Sequence, residues 1–205
     1  MPDPTPNQKA EFERLVLEVQ SKDLAMQFGD VVATLAETQV MAKEGAMGEA
    51  IVALRQKLMD TYEAKAMGFS RIKSWENARR FFGKAIEYAD TEASILVNRN
   101  IAICHFNIGL EHEDKDRFEE ALASYALAIE NDTSYAKACY ARSRLLARAP
   151  VPNKDRTERS KRIAEAVTLL KRSIHLDSAF RGVALRDVDF DSIREEEAFK
   201  AATKI

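Results

Sequence analysis

Ala121-Leu122-Ala123-Ser124-Tyr125-Ala126-Leu127-Ala128-Ile129-Glu130-Asn131-Asp132-Thr133 decides the fold. Ala121, Tyr125 and Ala128 are spaced by four and three, so a helix carries them on one face. The same order of small, large and small residues occurs at Ala78, Phe82 and Ala85. It occurs again at Ala166, Leu170 and Ser173. The endings also correspond: Ala85-Ile86-Glu87, Ala128-Ile129-Glu130 and Ser173-Ile174-His175. Small residues let a neighbouring helix approach, and the large one fills the space beside it. The sequence predicts a helical-hairpin unit used three times.

Working outward, each of these helices needs a first helix to pack on. Tyr62, Ala66 and Phe69 supply it for the first unit. Leu96, Ile101, Ile103 and Ile108 are the candidates for the second. Cys139, Leu145 and Leu146 are those for the third. Ser74 is placed to cap the second helix of the first hairpin, with Trp75 at the turn. The second and third units are longer than the first, and the extra residues are expected at the turns between helices. In the third, Pro150 and Pro152 end a helix, and Asn153–Ser160 is expected to be a solvated loop. All five prolines lie at positions 2, 4, 6, 150 and 152, so nothing from Asn7 to Ala149 forces a helix to stop.

Before the repeats, residues 1–7 read as a flexible leader and residues 8–58 as an N-terminal helical layer. Within it, Phe12, Leu15, Val16 and Val19 form one apolar face. A second helix is expected from a Ser21 cap, with Leu24, Phe28, Val31, Val32 and Leu35, and Gly29 as a bend. From about Glu49, Ile51, Leu54, Leu58 and Tyr62 make a third face. After the repeats, residues 181–205 read as a cap. There Asp191 is the expected helix N-cap, Glu195–Glu197 suit a helix start, and Phe190, Ile193 and Phe199 cover the last hairpin.

This pattern resembles the tetratricopeptide repeat family, whose unit is 34 residues in two antiparallel helices. The resemblance implies an all-α helical-hairpin solenoid with repeats at 59–92, 93–135 and 136–180. It also implies a protein-binding scaffold, adaptor or chaperone-like holder whose ligand is a peptide segment in the concave groove. The groove residues it implies are Asp60, Glu63 and Met67, then Val97, Asn98, Ile101 and His105, then Lys137, Tyr140, Arg144 and Arg148. Val97-Asn98-Arg99-Asn100 also resembles the repeat domains that clamp the C-terminal carboxylate of heat-shock chaperones. Asn98 and Lys137 match that clamp; Glu63, Met67 and Ala141 do not, and Glu63 would repel a carboxylate.

Charge refines these expectations. The net charge is only -2, which argues against nucleic acid and acidic membranes. Residues 111–133 hold eight acids and two bases, and residues 142–162 hold eight bases and two acids. Either the two stretches balance each other, or the third repeat offers Lys137, Arg144 and Arg148 to an acidic or C-terminal segment. The two cysteines make no disulfide framework, so a reducing cytoplasmic setting is expected. Of the histidines, His105, His112 and His175, the first two are two helical turns apart, too distant to share a metal without a third residue folding over, and no catalytic spacing or phosphate-cradling glycine loop stands out. No enzyme activity and no cofactor or metal is therefore expected. A self-associating structural subunit is the alternative to a binding module.

Overall fold

The computed structural model describes residues 3–20, 29–150 and 156–204; among them the secondary structure is helical and no strand occurs. The chain divides into two compact units, Met1–Asn100 and Ile101–Ile205.

The first unit opens with α1, Pro6–Val19. Thr5 caps it reciprocally. The Thr5 hydroxyl accepts from the Gln8 amide at 3.3 Å, and the Thr5 amide donates to Gln8 Oε1 at 2.8 Å. The leader expected to end at residue 7 is therefore already structured at Thr5, because Pro6 suits the first helical position. Next come α2, Gly29–Lys43, α3, Met47–Arg71, and α4, Trp75–Ala85. The proposed Ser21 cap, Leu24 and Phe28 lie outside the described residues. Val31 and Leu35 are buried, whereas Val32 is exposed. Helices α1, α2 and α4 all pack on α3, whose Ile51, Leu54, Leu58, Tyr62 and Ala66 are buried. One helix thus runs through the boundary expected at residue 58. Polar contacts fix α1 in place: the Tyr62 hydroxyl donates to Glu18, Lys84 pairs with Glu18 at 3.6 Å, and Arg55 pairs with Glu11 at 2.7 Å.

Helix α5, Thr91–Glu113, runs from residues of the first unit into the second, which continues with α6, Phe118–Asn131, and α7, Ala136–Arg148. Then follow α8, Arg156–Leu176, α9, Ala179–Ala184, a 3-10 turn at Val188–Ile193, and α10, Glu197–Thr203. Helix α7 packs against α6, α8 and the 3-10 turn. The core runs from Ala121, Tyr125 and Ala128 through Leu145 and Leu170 to Phe190, Ile193 and Phe199.

The turns after α3 and α5 are built alike. Lys73 and Asp116 both adopt positive φ, 57° and 55°. The Ser74 amide donates to the Phe69 carbonyl at 2.9 Å, and the Arg117 amide to the His112 carbonyl at 2.9 Å. All these pairs are offset by 43 residues, as are Ala78 and Ala121. The extra residues of the second unit therefore lengthen α5 and are not inserted at its turn. Ser74 does sit at the N-cap of α4, but its hydroxyl makes no cap bond and accepts from Asn77 Nδ2 at 3.0 Å instead.

Small residues occupy the tightest crossings. A Cβ on Gly109 would lie 2.5 Å from the Tyr125 ring. Ser143 Oγ donates to the Ala166 carbonyl at 2.6 Å. Ala66, Ala78, Ala121 and Ala166 are wholly buried. Seating Gly109 inward turns the rest of α5 with it. Ile101 and Ile108 are buried together with Val97, Ala102 and Cys104, while Leu96 and Ile103 are 57% and 37% exposed, contrary to expectation.

Two further expectations are corrected in the second unit. Asn153–Asp155 lie outside the described residues, but Arg156–Ser160 form the first turns of α8 and no loop. Tertiary partners hold them: Arg159 donates to Ser192 Oγ at 2.8 Å, and the buried Arg162 pairs with Glu119 at 2.9 Å and Glu158 at 3.2 Å. Asp191 caps no helix and instead pairs with Arg194 at 2.6 Å. Asp187 caps the 3-10 turn, accepting from the Asp189 amide at 3.0 Å.

Candidate functional site

Tyr140, Arg144 and Arg148 stand four residues apart on α7, so the helix carries them on one side. The chain itself occupies that side. The Tyr140 hydroxyl donates to Asp187 Oδ2 at 2.7 Å. Arg144 pairs with Glu113 at 2.5 Å and with Asp189 at 2.9 Å. Arg148 pairs with the same two carboxylates at 2.7 and 3.3 Å and lies over the Phe118 ring, 5.2 Å from its centre. Glu113, with a side chain only 7% exposed, also accepts from the Tyr125 hydroxyl at 2.6 Å. Phe190 meets the Tyr140 ring edge-on at 5.9 Å.

This cluster is paired within the chain: two guanidiniums face the carboxylates of Glu113 and Asp189, and Asp187 adds a third carboxylate, which accepts from Tyr140. Burial, then the bond to Glu113, pushes the Tyr125 phenol up; burial, then Asp187, does the same to Tyr140. Burial raises the Asp189 carboxyl although both arginines oppose it. The basic surface expected for an acidic ligand is thus spent internally at Arg144 and Arg148, which join α5, α7 and the 3-10 turn. Lys137 remains exposed. The sequence carried a signal for this pairing in its acidic 111–133 and basic 142–162 stretches. It did not single out Glu113, Asp187 or Asp189 as the partners.

The other expected groove residues differ in exposure. Val97, Ile101 and His105 are buried, and Asn98 is half-buried. Glu63 and Met67 do share an open face, and it extends further than expected. Glu49, Val52, Gln56, Asp60, Glu63 and Met67 follow at spacings of three and four along α3. Val52 is 68% and Met67 45% exposed. An open depression of about 470 Å³ lies at its start, lined by Gly48, Glu49, Val52, Ala53 and Gln56. Gln56 Nε2 donates to Asp60 Oδ1 at 2.9 Å. Burial, then the charge of Asp60, raises the Glu63 carboxyl above its ordinary value. Among the described residues no Lys, Arg or His pairs with Glu49, Asp60 or Glu63.

The described residues contain no group of three His, Cys, Asp or Glu side chains able to hold a metal. His105 is buried, His175 is exposed, and the half-buried His112 has Nδ1 without a hydrogen-bond partner among the described residues. Cys104 and Cys139 are buried and not joined in a disulfide. No described helix is long and apolar enough to cross a membrane. No protein-family model matches the chain, and no curated protein matches it.

Proposed function

We propose that the chain is a helical-repeat protein of the tetratricopeptide type and that it serves as a protein–protein interaction module. The observation that carries the repeat reading is the recurrence of one turn at a 43-residue offset, down to the backbone bonds of Ser74 and Arg117. The pairs Ala66 and Ala78, Gly109 and Ala121, and Ser143 and Ala166 support it as the close-packed positions of successive hairpins. In that register the gapless 34-residue units are 59–92 and 102–135, and the third carries its extra residues between α7 and α8. Hairpin arrays of this kind offer first-helix faces to partners. The open stripe on α3, with Val52 and Met67 exposed, is such a face and supports binding to another protein.

Affinity capture from native host cells, followed by titration of the purified captured protein, tests the reading. A saturable complex is expected, with amide exchange slowed along α3. The absence of any saturable partner would sink it. The exposed Val183, Leu185 and Val188 near the C-terminal cap favour self-association as a second reading. Light scattering over a concentration series separates the two, since an interaction module of the first kind stays monomeric without its partner.

A further inference from the structure

The interaction reading leaves the chemistry of the partner open, and the contrast between the two units narrows it. In the second unit the arginines of α7 already have carboxylate partners of their own chain. In the first unit the reverse holds on α3. Asp60 and Glu63 stand three residues apart on an open helix face, and neither has a cation among the described residues. The same face carries exposed apolar side chains at both ends, Val52 beside the depression at Gly48 and Ala53, and Met67. Helices α1, α2 and α4 pack elsewhere on α3: Arg55 and Tyr62 meet α1, and Ile51, Leu54 and Leu58 are inward.

We infer that the stripe Glu49–Val52–Gln56–Asp60–Glu63–Met67 of α3 docks a basic amphipathic helix of a partner protein. This inference rests on the interaction reading above. The spacing of three and four residues is that of a two-helix seam. It runs about 27 Å, some five turns, long enough to order a helical segment. An aliphatic side chain of the partner fits the depression beside Val52, and another covers Met67. Lysine or arginine between them reaches Asp60 and Glu63, neutralising a carboxylate pair that has no cation among the described residues. An acidic segment would meet like charge at the same positions.

The test uses the full chain and a fluorescent 19-residue helical peptide with leucines at seam positions and lysines beside them. A twin peptide carries glutamate in place of every lysine. The lysine peptide is expected to bind at least tenfold more tightly than its twin, and to weaken with added salt. The near-isosteric double variant Asp60→Asn with Glu63→Gln should weaken it at least tenfold while the melting temperature holds. Val52→Lys, at a solvent-facing position, should weaken it as well. Equal binding of the two peptides, no saturable binding of the lysine peptide, or indifference to the neutralising variant overturns the inference. Capture of a host partner that survives the neutralising variant also overturns it, yet leaves the interaction reading standing. Loss of all host capture by the wild-type chain instead removes that reading.

Discussion

Two glycines illustrate how position decides the effect of one methyl group. At Gly83 in α4 nothing lies within 4 Å of an added Cβ. Gly83→Ala should therefore stabilise by about 0.5–1 kcal/mol through helix propensity. At Gly109 the added carbon meets the ring of Tyr125, which is fully buried and hydrogen-bonded to Glu113. Gly109→Ala should cost about 1–3 kcal/mol despite the same gain in propensity. Urea denaturation of both variants checks the opposite signs; equal effects would mean that the α5–α6 crossing is looser than described. The arginines of α7 are the second residue-scale case. Read as groove cations, Arg144 and Lys137 would both be dispensable to stability. Arg144 instead holds Glu113 and Asp189, so Arg144→Met should cost about 2 kcal/mol, less than a wholly buried pair would. Lys137→Met should move the denaturation midpoint little. The sequence could not make this distinction, because the partners of Arg144 lie 31 and 45 residues away and composition says nothing about which charges meet.

Among elements, α4 and α6 were the most legible. Ala78–Phe82–Ala85 and Ala121–Tyr125–Ala128 state their buried face within two turns, and the structure buries all six. Helix α5 was not legible. Ile95, Leu96, Val97, Ile101, Ile103 and Ile108 lie on several sides of α5, and only the contact of Gly109 with Tyr125 selects among them. The start of α8 was hidden for a different reason. Its polar residues suit a loop until Ser192 and Glu119 give Arg159 and Arg162 partners. The open face of α3 was half legible: the repeat pattern reaches Asp60, Glu63 and Met67, whereas Val52 and Glu49 precede the first expected repeat. The paired turns make a prediction at this scale. Lys73 and Asp116 both hold a left-handed backbone conformation, which costs a side chain such as lysine more than aspartate. Lys73→Gly and Asp116→Gly should each raise stability by about 0.5–1 kcal/mol, lysine gaining the more. Thermal melts check this; destabilisation by both would mean that the turns are not fixed as described.

For the whole molecule, one helix belongs to both units. Because α5 is continuous through Asn100, loss of either unit should fray the other. In wild-type protein, Trp75 fluorescence, which reports the first unit alone, and far-ultraviolet helix signal should disappear together in denaturant. Asn100→Pro breaks the helix interior at a cost of about 3 kcal/mol and should pull the two curves apart. Separate curves in the wild type would show that the shared helix transmits nothing. The tyrosines have a further consequence. The chain has five, and burial leads the causes that raise every one, with Glu18, Glu113 and Asp187 accepting from Tyr62, Tyr125 and Tyr140. A phenol whose folded pKa is raised stabilises the fold fully below its unfolded value, near pH 10, and that contribution is lost as alkali carries the pH upward. Titrated optically, Tyr62, Tyr125 and Tyr140 should thus show almost no phenolate in the range where free tyrosine ionises. The phenolate band should then emerge in one steep step as the chain opens, and should retrace a different curve on back-titration if reclosure is slow. The protein carries its own unfolding dye, spread through both units, and needs no label to be followed in base.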